Sequence, residues 1–253
     1  MIAGEISPVI WVSGAASGIG EAFARLAAKK GARLGLADID EARLNRLCTE
    51  LSDAGADCIA LPTDVSDESQ VANAIERTYQ HFGALHGAVN NAGITGPAAP
   101  IEDLSWDDWQ RVINVSLGSV FLGLKHQLPL LKRHGRGAIV NVASGAGLIP
   151  AQHLAAYTAA KHGVLGLTKT AAQENIRSGV RINAVLPGST RTPMMEASMA
   201  ASEAVHDMVM ASVPCGRLGE PGEQAEAIWW LLSDAASYVN GHSMIVDGGT
   251  LCR

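Results

Sequence analysis

Three side chains in the second half of this sequence, Ser144, Tyr157 and Lys161, can move a proton on and off an alcohol oxygen. The tyrosine and lysine stand four apart in Tyr157-Thr158-Ala159-Ala160-Lys161. On a helix that spacing puts both side chains on one face, with Cβ atoms about 5–6 Å apart. A phenol has an unperturbed pKa of about 10 and is a poor base at neutral pH. A nearby ammonium favours the phenolate, and so would the positive ring of an oxidised nicotinamide. Bringing the pKa near 7 takes about 3 units, or roughly 4 kcal/mol of differential interaction. Two cations in a poorly solvated pocket can supply that. Ser144 can hydrogen-bond the reacting oxygen and hold it against the phenol.

A second constellation stands upstream. Ser13-Gly14-Ala15-Ala16-Ser17-Gly18-Ile19-Gly20 follows the short apolar run Val9-Ile10-Trp11-Val12. It opens a periodic stretch, 21–31, with Ala22, Phe23, Leu26 and Ala27 on one side. Strand, glycine turn and helix is the context that a dinucleotide fingerprint requires. Gly14 permits the tight turn. Gly18 and Gly20 let backbone approach a pyrophosphate and let the helix pack on the strand. The first amides of the helix, around Ser17 and Ile19, then face the phosphates. Asp38 ends the second strand about 20 residues after this loop, where a carboxylate can accept both ribose hydroxyls of an adenosine. It would also repel a 2′-phosphate.

On these residues the chain resembles the short-chain dehydrogenase/reductase family, in its single-domain form of about 250 residues. The resemblance covers nearly the whole of 1–253. The family's Thr-Gly-x-x-x-Gly-x-Gly is matched at 13–20, with Ser13 for the threonine. Its Asn-Asn-Ala-Gly is matched at Asn90–Gly93, its Tyr-x-x-x-Lys at Tyr157 and Lys161, and its Pro-Gly-x-x-x-Thr at Pro187, Gly188 and Thr192. The family's active-site asparagine falls on Asn114 and its serine on Ser144.

The resemblance implies roles. Asn114, Ser144, Tyr157 and Lys161 would form the catalytic set, with Asn114 buried and holding a water that links the lysine to solvent. Lys161 would also bind the nicotinamide ribose. Asp64 and Val65 would recognise the adenine edge. Asn91, Ala92 and Gly93 would pass the chain under the cofactor. Pro187, Gly188, Ser189, Thr190 and Thr192 would meet its nicotinamide end. Relatives that use the phosphorylated cofactor carry a base after the acidic residue or before the second glycine. Here those positions are Ile39 and Ser17, so the resemblance implies NAD (NADH) over NADP. Leu148, His153 and Leu154 would face the substrate, with Met194 and Met195 from a lid over 193–218. No metal is implied.

The elements that must position these residues alternate. Candidate strands are 9–13, 33–38, 57–62, 85–90, 137–143, 180–186 and 243–247. Candidate helices lie near 18–30, 40–53, 67–82, 105–133, 155–178 and 221–235. That rhythm argues an α/β, Rossmann-like, doubly wound fold, with a seven-stranded parallel sheet and helices on both faces. Right-handed crossovers then gather the loops after the strands on one edge, where ligands bind. The 193–218 excursion breaks the rhythm and holds Met194, Met195, Met199, Met208 and Met210, flexible side chains that adapt to irregular apolar shapes.

Composition narrows the function classes. The chain has 253 residues, 47% hydrophobic, with a net charge of −6 and no block of lysine and arginine, which argues against a nucleic-acid partner. No apolar run reaches the roughly 18 residues of a membrane span. The N-terminus lacks the pattern of a signal peptide. Cys48, Cys58, Cys215 and Cys252 show no metal or redox spacing and read as free, buried thiols of a reducing, cytoplasmic compartment. The expected activity is interconversion of a hydrophobic or cyclic secondary alcohol and its ketone. The rivals are an NADP-dependent 3-oxoacyl-type reductase and a dinucleotide-sensing protein without turnover. The Tyr–Lys spacing of four argues against an enoyl reductase. The family implies a homotetramer, or a homodimer, built on the paired long helices.

Overall fold

A computed structural model describes residues 7–200 and 203–252 of the chain. Residues 1–6, where a signal peptide was considered, lie outside the described residues. So do 201 and 202 of the expected lid, and Arg253.

Strand and helix alternate from the start. The order is β1 (Val9–Ser13), α1 (Gly18–Lys29), β2 (Arg33–Asp38), α2 (Glu41–Asp53), β3 (Cys58–Pro62), α3 (Glu68–Phe82), β4 (Gly87–Asn90), α4 (Trp106–Ile113) and α5 (Ser119–Arg133). There follow β5 (Gly137–Val142), α6 (Ala155–Glu174), β6 (Val180–Pro187), α7 (Pro193–Ala200), α8 (Glu203–Ser212), α9 (Pro221–Leu232) and β7 (Ser243–Val246). The seven strands form one sheet in the order β3-β2-β1-β4-β5-β6-β7, parallel throughout.

Alternation along each strand builds two cores. Val9 and Trp11 face α3, α5 and α6, where Val71, Ile75, Leu124, Leu131 and Val164 are buried. Ile10 and Val12 face α1, α2 and α9, where Phe23, Leu44, Leu47, Ile228 and Leu231 are buried. Because both faces are covered, the strands read as continuous apolar runs. Local chemistry sets the helix ends. Asp40 and Asp67 accept the first free amides of α2 and α3, and Gly83 ends α3 in the left-handed region. Glu220 and Glu223 form a capping box around Pro221 at the start of α9.

The expected helix over 105–133 is one continuous rod with a π-helical turn at Asn114–Gly118 between α4 and α5. The expected helix over 155–178 stops at Glu174, where the Asn175 side chain donates to the Ala171 carbonyl and the chain turns. The one over 221–235 stops at Leu232, followed by a short 3₁₀ turn.

The chain leaves β3 at one edge of the sheet and returns through α3 to β4, beside β1. Strand order therefore reverses between β1 and β4, and the crevice above their carboxyl ends is where such folds hold ligands.

Candidate active site

Four polar side chains lock the sheet beneath that crevice. Asn90 donates to Asn141 at 2.8 Å, Gln127 donates to Asn90 at 2.8 Å, and Asn141 donates to Thr168 at 2.9 Å. All four are buried and satisfied by one another, tying β4 and β5 to α5 and α6.

The glycine loop crosses the top of β1. Gly14 has φ +63°, and a Cβ there would lie 2.8 Å from Asn91 Nδ2 and 2.9 Å from Ala92 Cα. Side-chain-bearing residues are doubly excluded, by conformation and by space. A Cβ on Gly20 would strike the Gly14 carbonyl. Ser13 holds the loop to the neighbouring strand, its Oγ accepting from Asn91 N at 3.0 Å and Ala92 N at 3.2 Å. Asn91 Nδ2 returns the link by donating to the carbonyls of Ser13 and Gly14. Ser17 stands at the N-cap of α1, so the first amides of that helix open toward the crevice. Thr192 faces them, its Cγ2 3.2 Å from where Gly18 would carry a Cβ.

Asp38 braces the same loop. Its carboxylate accepts from Ala16 N and from Asp40 N, both at 2.9 Å. Each oxygen keeps acceptor capacity for a ribose hydroxyl. Ile39 is exposed beside it. The Asp64 carboxylate accepts from the amide and hydroxyl of Ser66 and so caps a turn, while Val65 is buried.

Tyr157 and Lys161 share the inner face of α6. The lysine Nζ lies 5.6 Å from the centre of the phenol ring. Lys161 is only 3% exposed and donates to the carbonyl of Val142 at 2.8 Å. Burial lowers its pKa to about 8. Ser144 lies close to the phenol of Tyr157, and its Oγ accepts from Ala146 N at 3.1 Å. Burial raises the phenol's pKa, and Ser144 opposes that rise. Desolvation is the larger effect here, against the lowering expected from the ammonium together with an oxidised nicotinamide.

A phenol, a hydroxyl and a buried ammonium thus stand beside a crevice shaped for a pyrophosphate. The family model described as "Enoyl-(Acyl carrier protein) reductase" matches residues 14–250. A cyclohexanol dehydrogenase of Acinetobacter sp. is 42% identical, over 95% of this chain and 93% of its own length. A cis-4-hydroxycyclohexanecarboxylate dehydrogenase of Sinomonas cyclohexanicum is 44% identical, over 94% of each. The crystal structure of levodione reductase superposes with a TM-score of 0.91 at 39% identity, covering 96% of this chain and 97% of that one. The Brucella melitensis 3-ketoacyl-(acyl-carrier-protein) reductase, complexed with NADH, superposes with a TM-score of 0.90 at 33% identity, covering 98% and 99%.

The chain belongs to the short-chain dehydrogenase/reductase family.

As a member of that family it is an oxidoreductase acting on alcohols and carbonyls, on a dinucleotide-binding Rossmann fold. The burial and partners of several expected site residues differ from their sequence reading. Asn114 is exposed rather than buried. Val112, Ser116 and Val120, four apart, are among the buried positions of this rod. Asn114 lies between Val112 and Ser116, at the start of the π-helical turn. Ser116 occupies the inner position instead. Its Oγ donates to the Ile94 carbonyl at 2.8 Å and accepts from Ile94 N at 2.9 Å. Both Ser116 Oγ and Lys161 Nζ lie 3.4 Å from where Gly93 would carry a Cβ. Sequence reading missed Ser116; the four-residue apolar spacing was the signal that could have found it.

Thr190 turns away from the cleft. It is 4% exposed, donates to the Gly188 carbonyl, accepts from Gln224 and pairs with Gly219. The Thr192 hydroxyl accepts from Met195 N and so caps α7. Gly188 packs against Asp247, where a Cβ would meet its Cα at 2.6 Å.

Leu148 and Ile149 are exposed at the rim after β5, and Leu154 is half-buried at the start of α6. Met194 is exposed and Met195 half-buried on α7. His153 departs from expectation. It lines a cavity of about 570 Å³ with Trp109, Ala155, Thr158, Ala159 and His162. Those α6 residues lie on the other side of the helix from Tyr157 and Lys161, since residues three to four apart share a face and one or two apart do not. His153 also has φ +62°, a left-handed conformation uncommon outside glycine, and its carbonyl accepts from Ala99 N at 2.9 Å. It ties two loops together.

Among the described residues no helix is long and apolar enough to cross a membrane, and no cluster of three metal-ligating side chains forms.

Proposed function

We propose that the protein is an NAD-dependent dehydrogenase/reductase that interconverts a neutral cyclic secondary alcohol and its ketone. The observation that carries this reading is the placement of Tyr157 and Lys161 on one face of α6, with the lysine Nζ 5.6 Å from the centre of the phenol ring, beside the glycine-loop crevice. Ser144 stands close to the phenol, so a proton-transfer group and an oxygen-positioning group are neighbours. The likeness to dehydrogenases of cyclohexane-ring alcohols points to the substrate class.

The cradle fits a dinucleotide. Gly14 and Gly18 leave room where a Cβ would clash, and the N-terminus of α1 faces that room. These residues would hold the pyrophosphate, Asp38 the adenosine ribose, and Lys161 the nicotinamide ribose. When bound, the nicotinamide supplies the hydride acceptor and an added positive charge. Ser144 Oγ holds the substrate hydroxyl, and Tyr157 Oη takes its proton during oxidation. In reduction Tyr157 returns the proton to the developing alkoxide. The exposed rim residues Leu148 and Ile149, with Met194 from a lid over 193–218, supply an apolar wall for a ring. Neither α7 nor α8 has a buried residue, which suits a segment that closes over substrate.

NAD is favoured over NADP because the Asp38 carboxylate would repel a 2′-phosphate and exposed Ile39 offers no cation. A cytoplasmic setting accords with the four cysteines, none of them in a disulfide, and a homotetramer or homodimer is the assembly that the family resemblance implies.

The deciding experiment measures turnover of cyclohexanol and substituted cyclohexanols with NAD and NADP in parallel, beside reduction of a 3-oxoacyl thioester. Oxidation of the ring alcohols, with NAD preferred at least about tenfold, or 1.4 kcal/mol, is the expected result. Preference for NADPH and the thioester would replace this reading with the biosynthetic one. Binding without any turnover would make the protein a sensor.

A further inference from the structure

Cys48 and Cys58 lie away from the crevice, and nothing in the redox reaction uses them. Cys48 stands on α2, and Cys58 is the first residue of β3, the edge strand of the sheet. The two Sγ atoms are 2.9 Å apart. A disulfide needs about 2.05 Å, so a small approach closes the bond. Neither residue is fully buried, which contradicts their reading as core hydrophobes.

The surroundings divide the roles. Cys58 Sγ lies 3.5 Å from the Ser52 hydroxyl and 3.4 Å from the Cys48 carbonyl. The hydrogen bond from Cys48, helped by Ser52, lowers the Cys58 thiol to about 7, while Cys48 is held in its protonated form. Thiolate fraction governs attack on a disulfide.

We propose that Cys48 and Cys58 form a thiol–disulfide exchange site for small oxidised disulfides of the glutathione type. Cys58 thiolate attacks one sulfur of the reagent, forming a mixed disulfide and releasing one thiolate. That thiolate takes up the proton lost from Cys58. Cys48 then attacks the Cys58 sulfur, the second reagent thiol leaves carrying the Cys48 proton, and the protein disulfide closes. The protein loses two hydrogens, and the reagent is reduced to two thiols.

The link would pin α2 to the edge strand. Cys58 pairs with Leu34, four residues before Asp38 on β2, or about 13 Å along the strand. Hydride transfer therefore stays clear of the bond.

The test incubates the full chain with oxidised glutathione, blocks remaining thiols by alkylation, and maps the peptides by mass. The expected result is a peptide joining Cys48 to Cys58, two hydrogens lighter than the dithiol and restored by dithiothreitol. The variant C48S should instead retain one glutathione on Cys58, and its turnover should match the wild type. Cys48 and Cys58 both alkylated, while exposed Cys215 or Cys252 carry glutathione, would overturn the proposal. So would a wild-type chain that keeps glutathione on Cys58 without closing the bond. The wild-type map decides by itself, so a variant that fails to fold leaves the answer intact.

Discussion

The ammonium of Lys161 donates to the carbonyl of Val142 at 2.8 Å, which joins helix α6 to the last residue of β5. The group is 3% exposed, and burial brings its pKa to about 8. In an unfolded chain a lysine titrates at about 10.4. Between those two values the unfolded chain binds the extra proton, so this group's contribution to stability rises with pH across that window. Below about 8 the cost of burying the charge is fully present.

Lys161→Met should therefore raise stability at pH 7 by about 2 kcal/mol, after the lost hydrogen bond is subtracted. The gap over the wild type should close by about pH 10. Urea denaturation of both proteins at several pH values measures it. Turnover of the variant should vanish. A variant less stable than the wild type at pH 7 would show that the Val142 bond outweighs desolvation.

Ser144 pulls the phenol's pKa down against the rise that burial imposes. Oxidation needs the phenolate, so its rate climbs with pH until Tyr157 has ionised. Ser144→Ala should move that acid limb upward, because the group that lowers the phenol's pKa is gone. It should also slow turnover about a hundredfold, while Tyr157→Phe slows it about a thousandfold with NADH binding kept. The pH profile of kcat with NAD reads both. An unmoved acid limb in Ser144→Ala would mean that the group seen to titrate is not Tyr157.

Asn114 and Ser116 make opposite predictions. Exposed Asn114 should tolerate alanine in the fold, with stability within about 0.5 kcal/mol of the wild type. Ser116→Ala leaves the Ile94 amide and carbonyl without their partner. It should cost about 1–3 kcal/mol of stability. It should also loosen the 93–94 backbone next to Lys161, lowering kcat about tenfold. Thermal unfolding and steady-state kinetics on the two variants separate them. Loss of activity in Asn114→Ala would return the relay to the asparagine.

The sequence by itself determined the strand–helix rhythm, the sheet, the glycine turn, and the Ser144, Tyr157 and Lys161 set. These are local signals: an apolar run, a required positive φ at Gly14, a spacing of four on one helix face. Even the serine in place of threonine at position 13 was legible, because its hydroxyl does the same bonding. Helix phase across 105–133 was not legible. Whether Asn114 or Ser116 faces inward depends on which stripe of the rod meets the 93–96 loop, and on a π turn that no residue type announces. Tertiary structure also turned Thr190 toward α9 and His153 to the outer side of α6. It brought Cys48 and Cys58 together across a helix and a strand, since ten residues of sequence separation fix no distance once the chain reverses direction. Desolvation was decided there too. Burial is a property of the packed whole, and it set the protonation of Tyr157 and Lys161 more strongly than their spacing did.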